Sequence, residues 1–299
     1  MMTTSLSTGG KRAGALAVSL LCGIAAQAQF QGNYPIGVEG LKGGTLPPPG
    51  LYLRDYNLFY FSDRLNDRDG NEIPIDFEAF GYANAIRPVW ITSWQVLGGY
   101  YGMDVLVPLI YKDVSAPGAI DSEFNVGDIF VEPITLSWHW KQADLGVGYG
   151  FWAPTGYFDP PANTGQGAWA HMMTLGGTVY ADTNKTWAVS ALARYEINYE
   201  NGDLQITPGN TLSLEWSVSK TLAKFYDVGI VGYWQQQTTE DSGPGRRTDA
   251  LDSVVAVGPE VSIFCPKWKL FTSLRYNYEV FAADRPQGHT VTLTLTKIF

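Results

Sequence analysis

The chain has 299 residues, of which 45% are hydrophobic and 14% aromatic but only 16% charged, with a formal net charge of −9. An average soluble domain carries about 25% charged residues, and disordered chains are poor in aromatic residues. The composition therefore excludes disorder and is unusual for a soluble enzyme. No run of about 20 apolar residues occurs, which excludes a helical membrane protein. The acidic balance disfavours a nucleic-acid partner, because binding to phosphates needs a basic surface.

Residues 1–28 have the three parts of a cleaved signal peptide. Lys11 and Arg12 supply a positive start, and residues 13–25 form an apolar stretch that is too short to span a bilayer. Ala26-Gln27-Ala28 then has the small-x-small pattern of a cleavage site. We therefore predict an exported protein whose mature chain starts near residue 29.

The mature chain keeps a single cysteine, because Cys22 leaves with the signal peptide and Cys265 stays. An intramolecular disulfide is thus impossible, and an exported protein of this size must be held together in another way. A closed sheet in a membrane would serve. The Gly- and Pro-rich residues 29–50 are predicted to form an N-terminal loop that contributes a plug to such a sheet.

From Leu51 onward the hydropathy pattern has a period of two, which predicts strands and no helix. The clearest example is residues 211–219, where leucine, tryptophan and valine alternate with serine, threonine and glutamate. Similar segments predict twelve strands, at residues 51–62, 75–90, 94–109, 128–140, 143–153, 170–181, 186–200, 210–220, 226–238, 253–264, 268–281 and 289–299. Most are long enough to cross a bilayer at a tilt. Residues 51–299 therefore form one all-β domain, an antiparallel β-barrel.

Alternation alone is compatible with a soluble barrel, whose apolar face is the core, and with a membrane barrel, whose apolar face meets lipid. Three features favour the membrane. An export signal precedes the strands, and Phe299 ends an amphipathic strand, as in chains recognised by the outer-membrane assembly machinery. Aromatic residues also cluster near strand ends, where they would form girdles at the two interfaces, at Trp90, Trp94, Trp138, Trp140, Trp152, Trp169, Trp187, Trp234 and Trp268. We expect a barrel in the lipid of the outer membrane of a Gram-negative bacterium.

Catalytic and metal-binding patterns are sparse. The three histidines, His139, His171 and His289, lie on separate predicted strands without metal-ligand spacing. No nucleophile elbow, phosphate loop or dinucleotide fingerprint occurs. We expect no cofactor, no metal and no enzymatic activity. A serine–histidine hydrolase pair formed across strands, with His139 or His171, stays open as an alternative.

If the apolar face points outward, charged residues of both signs line the lumen. The predicted lumen-facing pathway consists of Glu78, Tyr82, Tyr100, Asp104, His139, Arg194, Glu196, Glu215, Glu260, Arg275 and Glu279, the two tyrosines offering stacking surfaces to a ring. Two interpretations stay open: ion pairs that stiffen the wall, or a narrowed, selective pathway. Glycines at 146, 148 and 150 are predicted to make room inside the barrel or to allow a sharp bend. Side chains fill the interior of a barrel of about eight strands, whereas about sixteen strands leave an aqueous channel. Twelve strands are intermediate, so we predict a narrow or plugged pore.

The order of short motifs resembles the outer-membrane family named after the meta-pathway of phenol degradation. The matching residues are Gly127-Asp128, Pro133 to Trp138, Gly146-Val147-Gly148-Tyr149-Gly150, Pro154-Thr155-Gly156-Tyr157, Asp159, Trp187 to Ser190, Tyr195-Glu196-x-Asn198, Val231-Gly232-Tyr233, Gln235-x-Gln237, Asp241-Ser242-Gly243-x-Gly245, Val257-Gly258-Pro259, Arg285 and Gly288. The resemblance covers about residues 51–299 and implies an outer-membrane transporter associated with the catabolism of aromatic compounds. It implies no catalytic or binding residue.

The sequence thus predicts a channel for passive uptake of small hydrophobic or aromatic compounds. Two alternatives stay open, a lipase- or esterase-like hydrolase of the outer membrane and a structural barrel with a closed lumen. Conductance and ester hydrolysis discriminate among the three.

Overall fold

The computed structural model describes residues 32–160, 162–246, 249 and 251–299, so the predicted signal peptide lies outside the described residues. The described residues form thirteen strands and no helix. The strands are β1 (Gly50–Ser62), β2 (Glu78–Val96), β3 (Gly99–Ala116), β4 (Ala119–Val126), β5 (Ile129–His139), β6 (Ala143–Ala153), β7 (Ala170–Tyr180), β8 (Trp187–Asn198), β9 (Thr211–Leu222), β10 (Tyr226–Gln237), β11 (Ser253–Cys265), β12 (Leu270–Ala283) and β13 (His289–Ile298).

The strands close into one antiparallel barrel. Apart from β4 and β5, which do not pair with each other, each strand pairs with its neighbours in sequence, and β1 pairs with β13 to close the barrel. β4 and β5 pair with two successive parts of β3, Leu109–Ala116 and Tyr100–Leu106. They are therefore the two halves of one barrel strand, and the barrel has twelve strand positions, as predicted.

The predicted strand positions agree with the structure except around β2 to β4. The turn between β2 and β3 lies at Leu97-Gly98, where both residues have positive φ angles of 52° and 79°, rather than at residues 91–93. The period of two breaks at Thr92-Ser93, where the pairing of β2 with β3 is irregular between Ile91 and Gln95, and such a bulge resembles a turn in sequence. β4 was missed, because Ala119–Val126 contains Asp, Ser, Glu and Asn, which have low strand propensity.

The two ends of the barrel differ in their connections. Short turns at 97–98, 140–142, 181–186, 223–225 and 266–269 define a short-turn end, where β1 begins and β13 ends. Connections at 63–77, 154–169, 199–210 and 238–252 define a long-loop end. In outer-membrane barrels the short turns are periplasmic and the longer loops extracellular.

The burial of the two faces is inverted relative to a soluble barrel. The outer wall exposes apolar side chains, such as Val189 at 57% and Leu274 at 57%, whereas the inner face buries charged ones, such as Arg275 at 2% and Glu279 at 1%. An exposed apolar wall around a polar interior is the arrangement of a barrel in lipid. This inversion resolves the alternative that the alternation had left open. The described residues contain no helix that is long and apolar enough to cross a membrane.

Most of the predicted girdle tryptophans lie where the girdles require them. Trp90, Trp94, Trp140, Trp187 and Trp268 are exposed at the short-turn end, and Trp169 is exposed at the long-loop end. Trp152 corrects the prediction: it is only 3% exposed and packs against Phe130, with ring centroids 4.8 Å apart. Its register on β6 turns it into the lumen rather than toward lipid.

Candidate functional site: the occupied lumen

Residues 32–49, here called the lumen segment, pass through the barrel interior before β1 begins. At the upper part of the lumen, the Asn33 N–H donates to Glu196 Oε1 at 2.8 Å, close to the long-loop end of β8. Farther along, Lys42 Nζ lies 2.9 Å from Asp227 Oδ2, at the short-turn end of β10. The segment thus follows the barrel axis from the long-loop half to the short-turn end.

Glycines in the lumen segment and on the barrel wall allow the segment to pass close to the strands. Gly44 donates its N–H to Ser190 Oγ at 2.9 Å, and a Cβ added to Gly44 would lie 2.5 Å from the backbone N of Gly177. A Cβ on Gly146 would lie 3.3 Å from a side-chain carbon of Leu46, and one on Gly148 would collide with Glu132. The predicted role of these wall glycines, to make room inside the barrel, is confirmed.

Glu39 of the lumen segment is the centre of a buried charge cluster. Its carboxylate accepts hydrogen bonds from Arg54 Nη1 at 2.6 Å, Arg87 Nη1 at 2.9 Å and Arg194 Nη2 at 3.2 Å. The Tyr56 hydroxyl donates to the same carboxylate at 3.3 Å. Three strands and the segment are therefore held to one point, and charge-assisted hydrogen bonds of this kind are about twice as strong as neutral ones.

Arg87 also binds carboxylates on β3 and β5, which lie on the side of β2 away from β1. Its Nε and Nη2 donate to the two Asp104 oxygens at 2.7 and 2.9 Å, a bidentate pair, and Nη2 also donates to Glu132 Oε2 at 2.9 Å. We define the central charge cluster as Glu39, Arg54, Arg87, Asp104, Glu132, Arg194 and Glu215. It contains three arginines and four carboxylates, so its charges nearly balance.

Tyr34 links the lumen segment to the far wall. Its hydroxyl hydrogen-bonds both Arg194 and Glu215, and the Arg194 guanidinium lies 4.2 Å from the centre of its ring. The Glu39 N–H also donates to Glu215 Oε2 at 3.0 Å. The segment is therefore anchored to β8 and β9 by a cation–π contact and by hydrogen bonds.

Two further acidic groups hold the segment or the wall. Glu260 pairs with Arg275 at 2.7 Å and accepts from the Leu41 N–H at 2.9 Å. Arg275 also donates to the Gly37 carbonyl. Glu279 accepts from Tyr60, Tyr233 and Gly288 and makes no hydrogen bond to the segment among the described residues.

Two cavities of the lumen border the lumen segment. The upper cavity, toward the long-loop end, has a volume of about 80 Å³ and a mostly apolar lining; its side chains include Val38, Tyr56, Leu58, Tyr60, Leu106, Ile110, Lys112, Asp128 and Trp152. The lower cavity, toward the short-turn end, has a volume of about 290 Å³ and a mixed lining, in which apolar side chains stand beside the charged ones of Lys42, Arg54, Asp104, Glu132, Asp227 and Glu260. Glu39, Arg87 and Arg194 also border the lower cavity. Six of the seven residues of the central charge cluster thus line the lower cavity, and Tyr56, which donates to Glu39, lines the upper one.

Nine of the eleven predicted lumen residues point inward. Asp104, Arg194 and Glu215 belong to the central charge cluster, while Glu196, Glu260, Arg275 and Glu279 lie elsewhere on the inner wall. Tyr100 and His139 meet near the short-turn end, with ring centroids 6.3 Å apart.

Glu78 and Tyr82 are corrected by the structure. Because Arg87 binds Glu39 in the lumen, the odd-numbered residues of β2 point inward. The even-numbered Glu78 and Tyr82 therefore face outward. Glu78 is exposed at the long-loop end, and the Tyr82 hydroxyl donates to Asn57 on the outer wall at 2.9 Å. The prediction that the inward residues form a substrate pathway stays a prediction.

Several members of the site were missed from the sequence. Arg54, Arg87 and Glu132 each occupy an inward position of a predicted strand, and strict attention to strand parity would have found them. Glu39 and Tyr34 lie in a segment without periodicity. No local pattern marked them as lumen residues.

His139 and His171 have hydrogen-bond partners other than serine. His139 Nδ1 lies 3.1 Å from Asp144 Oδ1, and this carboxylate also accepts from Tyr180 at 2.6 Å. His171 Nδ1 lies 2.6 Å from the Tyr149 hydroxyl on the outer wall. No group of three or more metal-ligating residues occurs among the residues that the structure describes.

A closed barrel with an apolar outer wall and a charged, partly filled lumen is an outer-membrane β-barrel. The family model described as "Putative MetA-pathway of phenol degradation" matches residues 62–295, and the chain belongs to this family. No curated protein matches the chain significantly.

Two solved structures show the same architecture. The COG4313 outer membrane channel from Pseudomonas putida F1 is 14% identical, with a TM-score of 0.77 over 89% of this chain and 99% of that one. The translocator domain of the autotransporter NalP from Neisseria meningitidis is 11% identical, with a TM-score of 0.52 over 85% and 90% of the two chains. At these identities the likeness shows the shared fold.

Proposed function

We propose that this protein is an outer-membrane channel for the passive uptake of small hydrophobic or aromatic molecules, in association with the catabolism of aromatic compounds. The observation that carries the proposal is the apolar upper cavity at the long-loop end, walled by Tyr56, Tyr60 and Trp152. Aromatic walls offer stacking surfaces to a ring. The family membership agrees with this class of solute, and a solved channel shares the fold.

The size of the upper cavity limits the solute to about one ring. An apolar cavity of about 150 Å³ binds benzene, whereas this one has a volume of about 80 Å³. A single ring therefore enters only when the lumen segment, which supplies Pro35 and Val38 to the wall, shifts slightly. Lys112 and Asp128 in the same lining provide polar groups for a hydroxyl substituent.

The lumen segment acts as a plug in this proposal. Its contacts with Glu196, the central charge cluster and Asp227 hold it in the passage. A solute reaching the lower cavity must pass the ion pairs of Glu39, so loosening these pairs opens the route. The mechanism needs no energy source, because consumption of the solute inside the cell maintains its gradient.

Single-channel conductance of the refolded mature chain in a planar bilayer tests the proposal, with phenol and benzoate added as blockers. Discrete openings that an aromatic solute reduces support a selective pore. A silent barrel that is fully inserted and heat-modifiable contradicts an open pore. In that case an ester-hydrolysis assay separates the hydrolase alternative from a closed structural barrel.

A matched pair of variants tests the plug. Glu39→Gln removes the charge that binds three arginines, so we expect more frequent openings and a larger mean conductance. Glu78→Gln makes the same chemical change on the outer surface at the long-loop end and is expected to leave conductance unchanged. Equal conductance in both variants would contradict the role of the lumen segment.

A further inference from the structure

The outer wall carries a polar patch on β1 and β2, formed by Asp55, Asn57, Tyr82 and Asn84. Asp55 Oδ1 accepts from Asn84 Nδ2 at 2.7 Å and from Asn57 Nδ2 at 3.2 Å. The Tyr82 hydroxyl donates to Asn57 Oδ1 at 2.9 Å. Asp55 Oδ2 has no hydrogen-bond partner among the described residues, so the outer polar patch keeps an acceptor that is not used within the chain.

The orientation of this patch follows from its neighbours. Arg54 and Tyr56 flank Asp55 and both reach Glu39 inside the lumen. Because successive strand residues point to opposite faces, Asp55 points outward. In the strand register Asp55 lies opposite Leu295 and Ile86, and Asn57 lies opposite Leu293 and Asn84. The patch is therefore surrounded by lipid-facing apolar residues.

The patch lies near the middle of the apolar band. On β1, Leu51 is paired with Trp90 at the short-turn end, and Phe61 is paired with Phe80 at the long-loop end. Asp55 lies four residues above Leu51, at about 3.3 Å per residue along a tilted strand. A carboxylate at this depth is costly in hydrocarbon, so a lipid-exposed wall does not account for it.

The rest of the wall at this depth contains no other charged side chain among the described residues. The outward positions there are apolar, for example Val107, Ala193, Leu214, Ile230 and Leu274. A contact between this patch and a different part of a second barrel would therefore leave the carboxylate unmatched. Only the same patch on another copy offers both the amide donors and the acceptor.

We propose that two copies of this chain associate side by side through their outer polar patches, about a two-fold axis normal to the membrane. Such an interface is self-complementary, with Asp55 of each copy accepting from an asparagine amide of the other. Each carboxamide has two N–H donors, and Asn57 uses one of them within its own chain. The geometry gives a dimer, since a head-to-tail ring would require a second, different patch.

Cysteine cross-linking in the membrane tests this interface while the patch is intact. In a Cys265→Ser background, Leu53→Cys places a thiol two residues from Asp55 on the outer face of β1. Ala191→Cys places one on the exposed outer face of β8 as the matched control. With a short bis-maleimide we expect a cross-linked dimer for Leu53→Cys at a yield about tenfold above the control.

A second arm replaces the polar groups themselves. Asp55→Leu, Asn57→Leu and Asn84→Leu are combined in the Leu53→Cys chain, and heat modifiability confirms that the variant is folded. We expect the cross-link to fall to the level of the control and the native mass in mild detergent to change from two copies to one. Equal cross-linking of Leu53→Cys and Ala191→Cys, a one-copy mass for the parent chain, or a cross-link to a different protein would overturn the proposal.

Discussion

Arg87 forms ion pairs with three carboxylates in the lumen, those of Glu39, Asp104 and Glu132. Its side chain is 8% exposed, so these pairs are shielded from bulk water and from screening by salt. Removing one member of such a group leaves the other charges buried and unpaired, which strongly destabilises the folded state. The intact pairs, in contrast, stabilise the fold little more than well-packed apolar residues would.

We therefore expect Arg87→Ala to lower the free energy of unfolding by about 3–5 kcal/mol, measured by urea unfolding in lipid vesicles. Arg246→Ala is the matched control, because Arg246 is exposed and pairs with the exposed Glu240 at 3.2 Å. Exposed pairs contribute about 0–1 kcal/mol. Similar losses for the two variants would show that the central charge cluster is solvated rather than buried.

Gly44 shows how closely the lumen segment approaches the wall. A side chain at this position would meet backbone atoms of Gly177 and Ala191, which cannot rotate away. Gly44→Ala is therefore expected to displace the segment and to increase both channel openings and protease cleavage within residues 32–49. Gly202→Ala, whose added Cβ meets nothing within 4 Å, serves as the control. Wild-type behaviour of Gly44→Ala would contradict the close packing.

At the scale of elements, the turn between β7 and β8 depends on Asp182. The Trp187 and Thr186 N–H groups donate to its carboxylate at 2.8 and 2.9 Å, and these hydrogen bonds lower the pKa of Asp182. A lowered pKa means that the folded state favours the charged carboxylate. Its stabilising contribution is therefore present above the pKa of the unfolded chain and is lost as the pH falls through the folded pKa.

Asp182→Ala should thus destabilise the barrel at neutral pH, and the difference from the wild type should disappear in acid. Unfolding midpoints measured across acidic and neutral pH check this expectation. Asp203→Ala, in a loop at the long-loop end, is the comparison variant. A difference that is independent of pH would assign the effect to lost packing instead of charge.

The cost of a charged side chain on the lipid-facing side of a strand depends on its depth in the membrane. Leu214 lies on the outer face inside β9, as its fourth residue, and Leu222 is the exposed last residue of the same strand. An arginine near the bilayer midplane costs about 2–4 kcal/mol, whereas one near the interface costs about 0–1 kcal/mol. Leu214→Arg should therefore destabilise the folded barrel far more than Leu222→Arg, as measured by unfolding in vesicles. Equal costs would place the membrane at a different height on the barrel.

At the scale of the whole molecule, charge is distributed unequally between the two ends. The long-loop end is acidic, with Asp63, Asp67, Asp69, Glu72, Asp76, Glu78, Asp121, Glu123, Asp159, Glu200, Asp203, Glu240 and Asp241. The short-turn end is basic, because its lysines outnumber acidic residues such as Asp182; these lysines are Lys141, Lys185, Lys220, Lys224, Lys267, Lys269 and Lys297. The acidic mouth raises the local concentration of cations and lowers that of anions.

We expect any ionic current through the protein to prefer cations. The reversal potential under a KCl gradient measures this preference, and it should weaken as ionic strength rises, because the Debye length shortens. Neutral blockers such as phenol should act at lower concentration than the anion benzoate. An anion preference would mean that the arginines of the central charge cluster, rather than the loops, control selectivity.

Two features of the molecule were predictable from local pattern. The period-two alternation places residues such as Leu214 and Glu215 on opposite faces, because strand geometry forces this for every neighbouring pair. The turn residues and the aromatic residues near strand ends likewise marked most strand boundaries. The predictions for Trp152, Tyr82 and Glu78 were wrong, because the strand boundaries alone do not show whether odd- or even-numbered residues of β2 and β6 face the lumen.

By itself, the sequence determined the twelve-position antiparallel barrel, because hydropathy alternation and turn chemistry are local properties of the chain. The export signal, Phe299 and the tryptophans near strand ends also predicted that the apolar face meets lipid. Only the closed barrel showed which residues of β2 form that face, since alternation by itself is symmetric between the two faces. The contacts by which residues 32–49 of the predicted plug segment fill the lumen likewise depend on the tertiary structure, because Glu39 meets Arg87 and Arg194 only after the barrel closes. Contacts between residues so distant in sequence depend on the closed geometry, and no local pattern encodes them.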